Sequence, residues 1–181
     1  MNEAMEAPEG KDRRLNRMVA ITVVLLSVVM AVGKIKDDNI VQAMQADQAS
    51  KIDLWGEYQS TQIKAHDQAT AAALLGKLNA PADAAAAVRE AARYKAEARD
   101  LKAQAKAASD DYDVQGRRDD QFDLSDGFLS IALAVAAIAA LVEGFWVLCV
   151  AWGAAALGAL FLVAGFAQLP IHPDALVAFL S

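Results

Sequence analysis

Hydrophobic and polar positions fall in blocks along this chain. Positions 18–33 carry no charge, 128–142 are apolar apart from Ser130, and 145–169 form a third uncharged run. The 16 residues of the first run rise about 24 Å as a helix, a little short of a bilayer core of about 30 Å. Leu15 and Ile35 extend it, and Arg17 and Lys34 can snorkel outward. The pattern therefore predicts three transmembrane helices, over 18–33, 128–142 and 145–169. Ala31-Val32-Gly33 resembles a signal-peptide cleavage site, but the polar lead of 1–17 is long for one, so an uncleaved anchor is the expectation. Pro170 and Pro173 end the third helix, and Leu176, Val177, Phe179 and Leu180 suggest a short interfacial segment over 170–181.

Between the first two runs, 34–127 is charged and alanine-rich. From Ala84 the positions Ala87, Ala91, Tyr94, Ala98, Leu101, Ala105, Ala108, Tyr112, Gln115, Asp119, Phe122, Asp126 and Leu129 step by three and four. Eleven of the fourteen are apolar, the signature of a coiled-coil seam with a solvated face between its rows. A weaker seam precedes it: Val41, Met44, Gln48, Lys51, Trp55, Tyr58, Gln62, Ala65, Ala69, Ala72 and Gly76. Pro81 cannot sit comfortably inside one helix, so a turn is predicted near 79–83 with Asp83 as a possible cap. The two arms are of nearly equal length, as a chain that leaves a membrane and returns requires. The predicted fold is an all-α membrane protein: three transmembrane helices, with a long antiparallel two-helix coiled-coil arm between the first and second. Each helix of the arm would reach roughly 65 to 70 Å. Folding at Pro81 pairs positions whose numbers sum to about 162, setting Trp55 against Ala105 and Ala108, Tyr58 against Leu101 and Ala105, Tyr94 against Ala69, and Val41 against Phe122. Lys51 falls near Asp110 and Asp111. Pairing between chains is the rival arrangement.

Composition fits segregation: 56% of residues are hydrophobic, yet 22% are charged. Net charge is −6, and no basic patch interleaves with aromatics, so nucleic acid is not an expected partner. The single cysteine, Cys149, excludes an intrachain disulfide. Neither zinc spacing nor a phosphate loop nor a nucleophile elbow is present. His66 beside Asp67 projects in a different direction from its neighbour, and His172 lies between two prolines, so no metal, cofactor or catalytic residue is expected. Lys11, Arg13, Arg14 and Arg17 precede the first run, as a topology signal and as contacts for anionic lipid head groups. They place the N-terminus in the cytoplasm and the arm and C-terminus in the periplasm. Arg117 and Arg118 flank the other end of the arm and nearly balance the signal. In the second run Ala132, Ala136, Ala140 and Gly144 recur every fourth residue, as do Ala151, Ala155 and Ala159 in the third. Such stripes let membrane helices approach closely. Glu143 falls at the head-group turn.

The segment Asp53-Leu54-Trp55-Gly56-Glu57-Tyr58-Gln59, with Tyr94-Lys95 and Asp120-Gln121-Phe122-Asp123-Leu124, resembles a bacterial membrane family, domain of unknown function 4337. The resemblance covers about 34–169. It implies an N-terminal span, a helix with an Asp-x-Trp-x-x-Tyr-Gln signature, a second helix with Tyr-Lys, and two closing spans in the bacterial inner membrane. It implies no activity. Members often carry Lys or Arg at the last turn, where this chain has Glu143-Gly144.

The expected function is a non-enzymatic membrane-anchored scaffold or accessory subunit, with lipids and either another membrane protein or a second copy of the chain as partners. The alternative is a component of an oligomeric transporter or channel. Two features could serve docking: a weak stripe of Ala49, Ile52, Gly56 and Ile63, and a tip cluster of Leu74, Leu75, Leu78 and Val88. Surface scatter and a sealed hairpin end are their plain alternatives.

Overall fold

A computed structural model describes residues 10–171 and 177. The first nine residues, the Lys11 side chain, His172 and most of the expected interfacial segment lie outside the described residues. Three helices follow one another: α1 over Gly10–Lys77, α2 over Pro81–Leu141 and α3 over Phe145–Ala167. No proline interrupts α1 or the interior of α2, so each runs without a break from its apolar block into its charged block. At the first such junction Lys34 pairs with Asp37 at 2.7 Å and with Asp38 at 3.7 Å, one helical turn on.

All three helices close with the same hydrogen-bond pattern. Ala80 N–H donates to Leu75 O, Gly144 N–H to Ala139 O and Leu169 N–H to Ala164 O. Before each of these donors stands a residue with positive φ: Asn79 at 56°, Glu143 at 50° and Gln168 at 54°. This is the Schellman closure, in which a left-handed residue returns the chain to the last turn. Pro81 then opens α2, where its missing N–H costs nothing. Asp83 is therefore not the cap expected of it. It lies in the first turn of α2, where its charge favours the helix dipole.

The described residues divide into two compact units, 10–41 with 116–171 and 177, and Gln42–Gln115. In the first unit Leu15 and Val19 of α1, Ala136 and Ala139 of α2, and Val147, Leu148 and Ala151 of α3 form one buried cluster. Glycines on the helices receive large side chains. Gly158 sits against Leu129, Gly165 against Phe122, and Gly33 against Leu162. Phe128 stacks on Phe161 at 5.9 Å, Phe166 meets Phe122 edge-on at 5.3 Å, and Trp152 Nε1 donates to Thr22 Oγ1 at 3.0 Å.

The small-residue stripes differ from expectation. Ala132, Ala136 and Ala151 are buried, and Ala140, Gly144 and Ala155 are half-buried, but Ala159 is exposed. The buried line on α3 is Leu148, Ala151, Gly158, Phe161 and Gly165. A strict four-residue step drifts about 40° around a helix each time, whereas alternating threes and fours stay on one face.

In the second unit the α2 line is alanine-rich. Ala87, Ala91, Ala98, Leu101 and Ala105 are buried, while Tyr94, Ala108 and Tyr112 are half-buried. On α1, Thr61 and Ala65 are buried, and Trp55 and Tyr58 are half-buried and meet edge-on at 5.4 Å. Ala69 is exposed and is not a packing residue. The inward line on α1 runs Tyr58, Thr61, Ala65, Gln68, Ala72 and Leu75, so Gln62, Ala69 and Gly76 fall one position too late. Tyr94 is accordingly covered by Lys64, whose Nζ lies 6.0 Å from the ring centroid. Lys51 holds its Nζ 5.4 Å from the centroid of Tyr112, beside the Asp110 and Asp111 it was expected to approach. At the hairpin end Leu74, Leu78 and Val88 are exposed, as are Ile52 and Ile63, so the tip is not sealed by them.

Candidate functional site

Apart from Thr22, the buried polar side chains described in the first unit, Asp37, Gln121 and Ser125, lie where the apolar stretch of α1 gives way to charge. The inward line of α1 continues from Met30 and Gly33 to Asp37 and Ile40. The inward line of α2 passes Asp119, Phe122, Ser125, Asp126 and Leu129. The seam that elsewhere holds alanine therefore carries carboxylates and a hydroxyl here. Asp37 is 3% exposed and Ser125 2%. They line a cavity of about 10 Å³ together with Gly33, Lys34, Asp126 and Leu129, which is room for a single water.

The charges are unevenly matched. Lys34 Nζ donates to Asp37 Oδ2 at 2.7 Å, and this bond with its charge attraction holds the Lys34 ammonium above its ordinary pKa. Asp37 Oδ1 and Asp119 Oδ1 are both buried without a donor. Asp119 as a whole is half-buried. Its carboxyl is pushed up to about 7, first by burial, then by Asp37 and the charges of Asp123 and Asp120. Asp123 is also raised, by burial and then by the charge of Asp37, with Lys34 opposing. Nearby, Gln121 Nε2 donates to Leu169 O at 2.9 Å and to Ile171 O at 2.6 Å, tying the chain beyond α3 to α2.

The sequence did not single out Asp37 or Ser125, and it marked Gln121 only as part of the segment that carries the family resemblance. A signal existed in the seam itself, where Asp119 and Asp126 were polar exceptions among apolar positions. Phe122, taken as an arm residue, packs on Gly165 and Phe166 in the first unit. Arg13, Arg14 and Arg17 are exposed at the start of α1, and Glu143 is exposed at its turn. Among the described residues no group of His, Cys, Asp or Glu has the arrangement of a metal site.

These features define an all-helical protein whose three helices are long and apolar enough to cross a membrane. The family model for the Domain of unknown function (DUF4337) matches residues 15–168, and the chain belongs to that family. No curated protein and no solved structure matches it.

Proposed function

We propose that the chain is a membrane-anchored helical scaffold or accessory subunit. Its three apolar runs cross the bilayer of a bacterial inner membrane, and its two-helix arm engages another membrane protein or a second copy in the aqueous space. The observation that carries this reading is where large apolar side chains meet solvent. Val24, Leu25 and Val28 on α1, Ile131 on α2, and Val150 and Val163 on α3 are about half exposed or more, although water would disfavour each. A bilayer removes that cost. Trp146 and Phe145, exposed beside the Glu143 turn, are suited to the head-group level. In 42–115, by contrast, the exposed positions are mostly Lys, Arg, Asp, Glu, Gln and Ala, a surface for water. The reading assigns the chain no reaction.

Two measurements test it. Alkaline carbonate washing of membranes should leave the chain in the pellet, and its release would sink the anchor. Purification of the full chain in mild detergent, followed by mass and composition analysis, should show a stoichiometric partner or a defined self-assembly. A bare monomer that retains no partner would sink the scaffold.

A further inference from the structure

Two contacts fix how α1 and α3 run side by side. Trp152 Nε1 donates to Thr22 Oγ1 at 3.0 Å, and a Cβ on Gly33 would meet Leu162 Cδ1 at 2.9 Å. Both pairs keep nearly the same offset in residue number, so the two helices run parallel in one register. Stepping back equally from Thr22 and Trp152 sets Asn16 level with Trp146. The buried cluster that joins Leu15 and Val19 to Val147 and Leu148 agrees. Arg13, Arg14 and Arg17 lie within one helical turn at this level, and all three are exposed. Among the described residues none of them has an ion-pair partner. Trp146 and Phe145 are exposed there too, as are Leu141 and Val142 on the far side of the turn.

Charge is sorted between the two ends of this unit. Among the described side chains, the end at Trp146 holds the three arginines against one acid, Glu143. The opposite end, 34–38 with 117–126, holds six aspartates against four cations. We propose that the end at Trp146 binds anionic phospholipid, with the guanidinium groups of Arg13, Arg14 and Arg17 on the lipid phosphates and Trp146 and Phe145 beside the first carbons of the acyl chains. A guanidinium offers two parallel N–H donors to a phosphate, which a point charge does not. A lipid is favoured over free phosphate because the charged turn of α1 continues directly into the exposed apolar positions Val24, Leu25 and Val28. The acidic end repels the same lipids, so the preference belongs to one leaflet. This inference rests on the proposed anchoring of the chain in a bilayer.

The experiment keeps the full chain and reads its tryptophans. Vesicles hold equal amounts of phosphatidylcholine and phosphatidylglycerol in both leaflets, so the orientation of the chain does not matter. One lipid or the other carries brominated acyl chains, which quench tryptophan on contact. Each arginine engaged favours the anionic lipid about fivefold, and averaging over the unselected lipid around the bundle should leave about a twofold excess of quenching by brominated phosphatidylglycerol. Raising salt from about 0.1 M to about 1 M should remove most of the excess. Arg13→Gln, Arg14→Gln and Arg17→Gln together should bring the two lipids to parity. Arg89→Gln with Arg99→Gln, exposed positions on the arm, should keep the excess, as should inorganic phosphate compared with chloride at equal ionic strength. Equal quenching by the two lipids in wild type needs no variant to fold, and it would overturn the proposal while leaving the anchoring intact. An excess that ignores salt, survives the triple substitution, or disappears with the arm substitutions or with inorganic phosphate would overturn it as well. Quenching by neither lipid would overturn the anchoring along with it.

Discussion

Glu143 is an uncommon residue for the left-handed position that closes α2, because its Cβ crowds the following carbonyl at a φ of 50°. The other two closures use Asn79 and Gln168 at the same kind of position, and only asparagine is favoured there. Glu143→Gly removes the crowding and should stabilise the folded chain by about 0.5 to 1 kcal/mol, read as a higher melting temperature in detergent. Gly158 makes the opposite case. A Cβ there would lie 2.7 Å from Leu129 Cγ and 3.1 Å from Leu129 N, so backbone as well as side chain must yield. Gly158→Ala should cost about 1 to 3 kcal/mol by forcing α2 and α3 apart. Gly153 on the same helix has nothing within 4 Å. Gly153→Ala should be neutral or slightly stabilising, since alanine is the better helix former. If both substitutions melt alike, the close approach at Gly158 is not what holds these helices.

At the scale of elements, the arm is held by a line of small residues, and small lines are intolerant of bulk and charge. Ala98 and Ala105 are 1% and 0% exposed, and Ala103 is exposed. Ala98→Glu or Ala105→Glu should each lower stability by about 1 to 3 kcal/mol, through overpacking and an unpaired charge. Ala103→Glu should change it little. Helix content followed by circular dichroism against temperature separates the three. The same arm shows how far sequence carries. The α2 line was legible because alanine and aromatics occupy its inward positions over many turns, leaving one register that fits. The α1 line was not, because Thr61 and Gln62 are both polar, and Gln68 looked a worse inward residue than Ala69. Tertiary packing buries the threonine and turns the alanine outward. The polar cluster was harder to see because a sequence shows Asp37 and Asp119 only as charged residues. Their meaning comes from the inward lines of two helices, which carry carboxylates 82 positions apart in the chain.

For the whole molecule, connectivity turns the proposed anchoring into a topology: if 18–33, 128–142 and 145–169 each cross, the two ends of the chain lie on opposite sides, and everything between the first and second crossings lies with the C-terminus. Arg13, Arg14 and Arg17 are exposed on α1 just before the first apolar run, and positive charge is retained on the cytoplasmic side most strongly near the first span. Arg117 works against them from within a long loop, where such charges count for less. The N-terminus should then be cytoplasmic, with residue 82 and the C-terminus across the membrane. Single cysteines replacing Asn2, Ala82 and Ser181, each in a Cys149→Ser background, can be labelled in intact cells with a reagent that does not cross membranes. Cys149 must be removed because it is exposed and free. Label is expected at 82 and 181 but not at 2. Label at 2 alone would invert the orientation while keeping three crossings. Label at 2 and 82 together would mean that 18–33 does not cross, and the exposed apolar face of Val24, Leu25 and Val28 would have to be covered by protein instead of lipid.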